Sequence, residues 1–503
     1  MNLKVLKAIF PVILLLFVCS CNKEYLETSP SDQIDQKKIF ENISNVNVAL
    51  NGVYRGLYRQ YSDQEEDGHP AIMINMDFLG EDIVHTARGS SYFRNTYRWI
   101  GHISEVNDLV YFAYRLYFTT IANVNLILDG IDKVPGATEA QKNAIKGECY
   151  ALRGWSYFNL VQLYGQRYDN ANKPNIQLGV PIFTSYSLEP KARSTVEEVY
   201  QQINDDLGLA MTLLQNAPAR ANKTHIDLQV TKGIKARVAL TMQNYPEAVT
   251  YAAEARAGYS LMSNSDYLSG FNSLRNGEWM WGANQLADQL PNFGAFYSYM
   301  SGNVNSVHTR TNVKIINSQL YAAIRPTDIR KKLWWDGTVA DAINFPGVIN
   351  VAQGGPEPSQ MRSIYMHRKY MAADPSVSVG DIPFMRAAEM YLIEAEAKAA
   401  LNLGADASDA LVVLMRNRDP FYAKPTTISV TDVLLQRRIE LWGEGFRFLD
   451  LKRGNFPLNR RNTGANRTLA NWIGITAGDR RWQFMIPRRE IQNNPFMIQN
   501  PSN

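Results

Sequence analysis

Aromatic residues that alternate with amide and charged residues could bind a ligand without any catalysis. A flat aromatic ring covers the C–H patches of a sugar ring, while amide and charged side chains bond its hydroxyl groups. Each such ring could equally be a core residue. The first stretch of this kind, residues 88–99, supplies five candidate ligand contacts: Arg88, Tyr92, Asn95, Tyr97 and Trp99.

The second stretch is residues 259–380, in which helical periodicity mostly vanishes. Glycine, asparagine, serine and proline alternate there with aromatic residues. A segment of this length without a regular period is usually functional rather than a simple connector. We interpret it as an irregular, loop-rich lobe packed on a helical scaffold. Its candidate ligand contacts are Trp281, Trp334 and Trp335.

Catalytic and metal-binding patterns are absent from the sequence. None of the six histidines lies in an HExxH motif, and there is no GxSxG, GxxxxGK[ST] or GxGxxG motif. Residues 63–68 resemble the start of a calcium loop, but the twelfth position is Ile74 instead of glutamate. We therefore predict no catalytic residue, no metal and no cofactor. A surface glycosidase stays an alternative. Such an enzyme needs two carboxylates roughly 5–9 Å apart. Glu81 and Asp82 are the best candidate pair, because they lie in a loop rich in aromatic residues.

Composition restricts the possible partners. The chain has 503 residues and a formal net charge of +4, with no tract rich in lysine or arginine. Nothing in this balance points to nucleic acid as a partner. The three cysteines allow neither a disulfide framework nor a paired-cysteine metal site.

The N-terminus reads as a lipoprotein signal peptide, residues 1–20. Two lysines precede an apolar run at residues 8–18 that is too short to span a bilayer. The string VCSC resembles a bacterial lipobox and indicates acylation of Cys21, followed by a polar tether over residues 21–37. Several acyl chains would hold the protein stably on a membrane. An ordinary secreted protein without lipid is the alternative. No later segment looks long and apolar enough to span.

The remaining chain is predicted to be mainly α-helical. Apolar residues recur at helical spacing over residues 40–61, 105–134, 138–164, 194–214, 231–242, 246–257, 383–403 and 429–453. We expect Asp381 to cap the helix at 383–403 and Gly404 to end it, and Ser194 with Glu197 to form a capping box. Residues 62–99 are predicted to be loop-rich. The string QNYPEAVTYAAEA resembles half of a tetratricopeptide repeat, so we predict degenerate helix pairs of this kind.

Five strings resemble the SusD/RagB family of outer-membrane nutrient-binding lipoproteins. They are CNKEYLETSP with FENISNVNVALNGVYRGLY, MRAAEMYLIEAEAKA, RRIELWGEGFRFLDLKRG and the terminal WQFMIPRREIQNNPFMIQNPSN. The resemblance implies one SusD-like domain at residues 38–503, with its scaffold at about 38–258 and 381–453 and the irregular lobe at about 259–380. It also implies a ligand site built from the N-terminal loop region and the lobe.

The string RRIELWGEGFRFLDLKRG carries a cluster of charged residues, for which we predict structural ion pairs. The cluster consists of Arg437, Arg438, Glu440, Glu444, Arg447, Asp450 and Arg453.

The same resemblance implies a function. The expected protein is lipid-anchored to the outer membrane and exposed at the cell surface. It captures a polysaccharide or oligosaccharide and passes it to a TonB-dependent, SusC-like transporter. The alternatives are a peptide ligand and a purely structural adapter lipoprotein of a transporter complex.

Overall fold

The structure is a computed structural model and describes residues 36–85, 92–290, 294–304, 306–310, 312–345, 363–460 and 473–501. The predicted signal peptide, Cys21 and Arg88 lie outside the described residues. No helix within the described residues is long and apolar enough to cross a membrane.

The fold is mainly α-helical, as predicted. The longer helices are α1 Ile43–Gly56, α2 Gly68–Phe78, α3 Asp108–Gly130, α4 Glu139–Tyr164, α5 Val196–Leu214, α6 Leu228–Thr241, α7 Tyr245–Ala255, α8 Ala387–Ala400, α9 Gly404–Arg418, α10 Val430–Glu440 and α11 Arg447–Arg453. Short helical segments occupy Gln36–Ile39, Arg94–Tyr97, Asn264–Tyr267, Phe296–Met300, Val307–Arg310, Ser318–Ala322 and Arg488–Asn493.

Consecutive helices pack side by side to form the scaffold. Helix α4 lies between α3 and α5, and α7 lies between α6 and α8. Small residues permit the close approach: Gly154 of α4 lies against Leu207 of α5, and Ala248 and Ala252 of α7 are fully buried. The likeness of these pairs to tetratricopeptide repeats and the division into scaffold and lobe stay predictions.

Helix α5 begins one residue later than predicted. Its capping box is formed by Thr195 and Glu198, not by Ser194 and Glu197. Ser194 is unavailable because its backbone is already paired: its carbonyl accepts from Gly179 N at 2.7 Å, and its N–H donates to Val180 O at 3.1 Å. The prediction was therefore wrong, because a contact distant in sequence occupies the first of two adjacent hydroxyl residues.

The C-terminal helices also differ from the prediction. Residues 382–386 form a strand before α8 starts, and Gly404 begins α9 instead of ending a helix. The stretch predicted as one helix at 429–453 is broken between α10 and α11. Gly443 and Gly445 have φ of 80° and 83° there, a left-handed conformation that glycine adopts without strain.

Helix α2 was missed in the stretch predicted to be loop-rich. Ten of its eleven residues are buried, including Pro70, Ile74 and Phe78. A helix buried on all sides has no polar face, so its sequence lacks the amphipathic period that reveals a helix.

Three short antiparallel strand pairs lie among the described residues, and two of them join the irregular lobe to the rest of the chain. The strands are β1 Ile83–His85, β2 Trp279–Ala283, β3 Lys314–Ile316, β4 Ile382–Arg386, β5 Leu458–Asn459 and β6 Gly474–Ile475. They pair as β1 with β3, β2 with β4, and β5 with β6. Strand β3 continues through the bridge from Ile315 to Met366. The lobe is thus joined at β1 to the chain that leads into the first predicted ligand stretch.

Candidate functional site

The two predicted ligand stretches meet at Tyr92. Its hydroxyl donates to Gln64 Oε1 at 2.8 Å, and its ring packs edge-on against His308 of the lobe with centroids 4.0 Å apart. The next residue, Phe93, has φ of 55° and donates its N–H to Glu65 Oε1 at 2.9 Å. The chain then turns into the short helix Arg94–Tyr97. We call this meeting of residues 62–67, 92–97, 299–304 and 306–308 the loop–lobe junction.

A polar cavity of about 220 Å³ lies beside the junction. Its lining is rich in carboxylate and amide side chains and comprises Asp63, Glu65, Glu66, Asn75, Phe93, Arg94, Asn95, Thr96, Asn107, Asp108, Leu109 and Phe112. Asn95 is exposed there, so the structure brings this predicted contact into a cavity whose side chains can bond hydroxyl groups.

The walls of the polar cavity are held in place by internal hydrogen bonds. Thr96 Oγ1 donates to Asn75 Oδ1 at 2.7 Å, and Asn107 Oδ1 accepts from Leu109 N at 3.1 Å as the N-cap of α3. Arg115 pairs with Glu66 at 2.9 Å. Such fixed side chains reduce the entropy that a ligand must overcome on binding.

Burial raises the pKa of Glu65 to about 7. The hydrogen bond from the Phe93 N–H lowers this pKa by a smaller amount, and repulsion from Asp63 adds to the rise. Burial likewise raises the pKa of Glu66, against the effect of Arg115. Around neutral pH, Glu65 therefore exists in both forms. The cavity can offer a carboxyl O–H donor as well as acceptor oxygens.

Four predicted ligand contacts lie in the core instead. Tyr97 and Trp99 are 2% exposed, Trp334 is 1% exposed and Trp281 is fully buried. The indole N–H of Trp99 donates to Leu79 O at 2.9 Å, and that of Trp281 donates to Thr224 O at 3.0 Å. These rings have no free face for a ligand, so their prediction as contacts is corrected to structural packing.

Trp335 is half-buried and remains at the surface. Its indole N–H donates to Thr338 O at 2.9 Å, and its backbone pairs with Tyr365 and Met366. Tyr365 in turn packs against Tyr321 with ring centroids 4.8 Å apart. Trp335 packs on a small apolar cluster that includes Val84 of β1. It therefore lies beside the strand that leads toward residues 86–91.

The carboxylate pair considered for glycoside hydrolysis is occupied by arginines. Asp82 bonds Arg438 at 2.5 Å, and Glu81 bonds Arg447. Burial alone would raise the pKa of Glu81, but Arg447 and Arg438 hold it below its ordinary value. A general acid needs the opposite shift.

The charged cluster at residues 437–453 consists of structural ion pairs, as predicted. Arg437 Nε bonds Asp450 at 2.8 Å, and Glu440 is buried between Arg386 and Arg418. These pairs join α10 and α11 to β4 and α9, so their charges are used inside the fold.

Sequence reasoning did not single out most of the residues that line the polar cavity. Asp63 and Glu65 were considered as calcium ligands, a possibility the sequence itself rejected. No group of three or more His, Cys, Asp and Glu residues within the described part of the chain could hold a metal ion. Asp67 instead accepts the N–H of Phe296 at 3.0 Å and so fastens the lobe to the N-terminal loop. Apart from Asn95, the sequence signal for the polar cavity was the density of acidic residues at 63–67.

Comparisons with known proteins identify the family to which this helical fold belongs. Residues 24–240 match a family profile described as "Starch-binding associating with outer membrane", and residues 344–502 match that of the SusD family. The chain belongs to the SusD family, a family of carbohydrate-binding proteins associated with the outer membrane.

Three individual relatives illustrate the similarity. A SusD-like protein of Formosa agariphila is 20% identical over 98% of this chain and 97% of its own length. A SusD-like carbohydrate binding protein from Bacteroides vulgatus superposes with a TM-score of 0.80 and 27% identity, covering 91% of this chain and 98% of its own. A laminarin binding SusD-like protein shares the fold at a TM-score of 0.69 and 19% identity, covering 92% of this chain and 100% of its own.

Proposed function

We propose that this protein is a surface lipoprotein that captures a glycan or oligosaccharide at the loop–lobe junction and delivers it to a TonB-dependent transporter. The observation that carries the proposal is the polar cavity beside the junction, with Asn95 exposed in its wall. Amide and carboxylate groups in such a wall suit the hydroxyl groups of a sugar. Membership of a carbohydrate-binding family supports the same ligand class.

The ligand is held by the half-buried and exposed candidates. Asn95 bonds hydroxyl groups from within the cavity, and Tyr92 supplies an aromatic edge at its rim. Trp335, with Tyr365 beside it, offers a second aromatic surface for a longer chain of sugars. Arg88, which precedes Tyr92 in the same stretch, remains a proposed contact. In this proposal the protein binds without cleaving, and the best candidate pair for hydrolysis, Glu81 with Asp82, is neutralised by Arg447 and Arg438.

Delivery and anchoring rest on the family and on the leader sequence. Acylation at Cys21 would tie the protein to the outer membrane, with residues 21–37 as a tether that lets the body reach a neighbouring transporter. Metabolic labelling with palmitate tests the anchor: the wild-type chain should incorporate label and fractionate with membranes, and Cys21→Ala should do neither. An unlabelled wild-type chain in the soluble fraction would contradict it.

A polysaccharide panel tests the ligand class. Affinity electrophoresis through gels that contain single glycans should retard the protein in at least one of them. Retention by none, together with binding to a peptide library, would replace the glycan by a peptide ligand. Binding to neither, with an intact transporter complex, would leave only the adapter role.

A further inference from the structure

The polar cavity beside the loop–lobe junction carries an excess of negative charge. Among the described residues of its lining, four carry a carboxylate and one, Arg94, carries a guanidinium. The carboxylates belong to Asp63, Glu65, Glu66 and Asp108. Arg115, which is not part of the lining, neutralises Glu66 at 2.9 Å. Four carboxylates against two guanidinium groups leave two negative charges when every acid is ionised. The positive end of the α3 dipole amounts to only about half a charge, so it does not cancel this excess.

Three of these carboxylates keep oxygens open to a ligand. Glu65 uses Oε1 for the Phe93 N–H at 2.9 Å, and Asp63 uses Oδ1 for the Glu65 N–H at 3.1 Å. Asp108 is exposed at the first position of α3, and within the described part of the chain no hydrogen bond or ion pair reaches its carboxylate. The open oxygens can therefore accept from a donor that enters the cavity.

The same three carboxylates act on one another. Burial is the main cause of the raised pKa of Glu65, and repulsion from both Asp63 and Asp108 adds to the rise. The two neighbours belong to different segments, the N-terminal loop and the start of α3, so the repulsion reaches Glu65 from two sides of the cavity. A positive group placed among them would relieve this repulsion.

An organic ammonium suits this arrangement better than a metal ion does. The described residues include no set of three or more His, Cys, Asp and Glu side chains arranged to hold a metal. A protonated amine does not need such a tight shell, because its three N–H groups donate to separate acceptors. Hydrogen bonds from an ammonium to a carboxylate are roughly twice as strong as those between neutral groups.

The size of the cavity limits the part of a ligand that can enter. A cavity of about 150 Å³ accepts benzene. The polar cavity measures about 220 Å³ and has exposed Asp63 and Asn95 in its lining. It therefore has room for one sugar residue, with the rest of a glycan chain outside.

We propose that the polar cavity selects a sugar residue that carries a protonated amino group, a 2-amino-2-deoxyhexose, and discriminates against uronic acids. The ammonium group donates to Glu65 and Asp108, while Asn95 bonds the ring hydroxyls. A uronate carboxylate would instead be repelled by the same acids. This inference rests on the proposed function and names the class of glycan that the site binds.

Ligand-observed NMR titration with monosaccharides tests the preference independently of any glycosidic linkage. D-Glucosamine should bind at least tenfold more tightly than D-glucose at pH 7 and low salt. N-Acetyl-D-glucosamine keeps the nitrogen but loses the charge, so it should bind no better than glucose, and D-glucuronate should bind more weakly than glucose. An increase in salt from about 0.01 to 1 M, which shortens the Debye length from about 30 to 3 Å, should reduce the preference for glucosamine at least threefold.

A substitution at α3 locates the binding. Asp108→Asn should weaken glucosamine binding at least threefold and leave glucose binding unchanged, because it removes a charge and keeps the shape. Asp406→Asn is the matched control, since Asp406 is an exposed acid in the first turn of α9 and does not line the cavity. Equal glucosamine affinities for the two variants would overturn the proposed position of the ammonium group.

The outcomes separate this inference from the proposed function. Equal affinity for glucosamine and glucose, or tighter binding of glucuronate, would overturn the selection of an amino sugar and leave glycan capture standing. Failure to bind glucosamine by a protein that a neutral polysaccharide of the panel retards would have the same meaning. Binding of no monosaccharide and no polysaccharide would overturn both.

Discussion

Tyr92 and His308 join the N-terminal loop to the irregular lobe: their rings meet edge to face, 4.0 Å apart and at an interplanar angle of 86°. Tyr299 lies beside both rings and donates its hydroxyl to Gln64 O at 2.8 Å. The loop–lobe junction beside the polar cavity is therefore one packed unit made from segments more than 200 residues apart in sequence.

Removal of the Tyr92 ring should weaken ligand binding more than it weakens the fold. Tyr92→Ala is expected to lower glycan affinity about tenfold, because the ring both faces the rim and fixes the turn that carries Asn95. Tyr92→Phe keeps the ring packing and loses only the bond to Gln64, worth about 1 kcal/mol. Calorimetric titration compares the three proteins. Equal affinities for Tyr92→Ala and wild type would place the ligand away from this rim.

Truncation of Trp99 should mainly lower the stability of the fold, whereas truncation of Trp335 should mainly weaken glycan binding. Trp99→Ala empties a core position packed between His102 and Trp482, and should lower the free energy of unfolding by about 3–5 kcal/mol. Trp335→Ala removes a half-buried ring and should cost roughly 1 kcal/mol while weakening glycan binding. Urea unfolding monitored by circular dichroism gives both stabilities. A Trp99→Ala protein of wild-type stability would contradict its assignment to the core.

Substitution of Glu440 should lower the free energy of unfolding more than substitution at most other charged positions. Its carboxylate bonds Arg418 at 2.9 Å and Arg386 at 3.2 Å, and all three side chains are fully buried. Glu440→Gln removes one of the carboxylates that neutralise these buried guanidinium groups, beside Glu278 and Glu444, which costs about 3–5 kcal/mol. Glu254→Gln, which removes a half-exposed partner of Lys232, should cost less than about 1 kcal/mol. Similar losses in the two variants would show that the buried network is not needed for stability.

Asp77 should make stability depend on pH. Burial raises its pKa to about 8, further raised by Asp82 and opposed by the Gly445 N–H. The folded state thus holds a proton that the unfolded state releases near pH 4. Stability from this group is complete at low pH and falls between about pH 4 and 8, by up to roughly 1.4 kcal/mol per pH unit.

Asp77→Asn tests this dependence, because an amide oxygen still accepts from Gly445 N but cannot ionise. The variant should lose less stability than wild type between pH 5 and 8 in urea unfolding experiments. Identical pH profiles for the two proteins would show that Asp77 is ionised in the folded state.

The sequence predicted what depends on local pattern and missed what depends on tertiary burial. Amphipathic α3, α4 and α5 were found within four residues of their ends, because one polar face reveals the period. Helix α2 and strand β4 are buried on every side and carry no such alternation. The same limit explains the site: Trp99 follows a polar loop in sequence, but its indole turns inward to Leu79 O. Asn95 lies at a cavity wall, and its role as a ligand contact stays a prediction, whereas Asp63, Glu65, Asn107 and Asp108 of the same cavity were not predicted as contacts.

The central claim is that a glycan binds in the polar cavity at the loop–lobe junction. The most direct measurement is calorimetric titration of the best-binding polysaccharide from the panel into wild type, Asn95→Ala and the exposed control Asn172→Ala. Loss of one neutral hydrogen bond should weaken binding by Asn95→Ala about fivefold to tenfold and leave the control unchanged. Equal affinity in all three proteins would contradict the account.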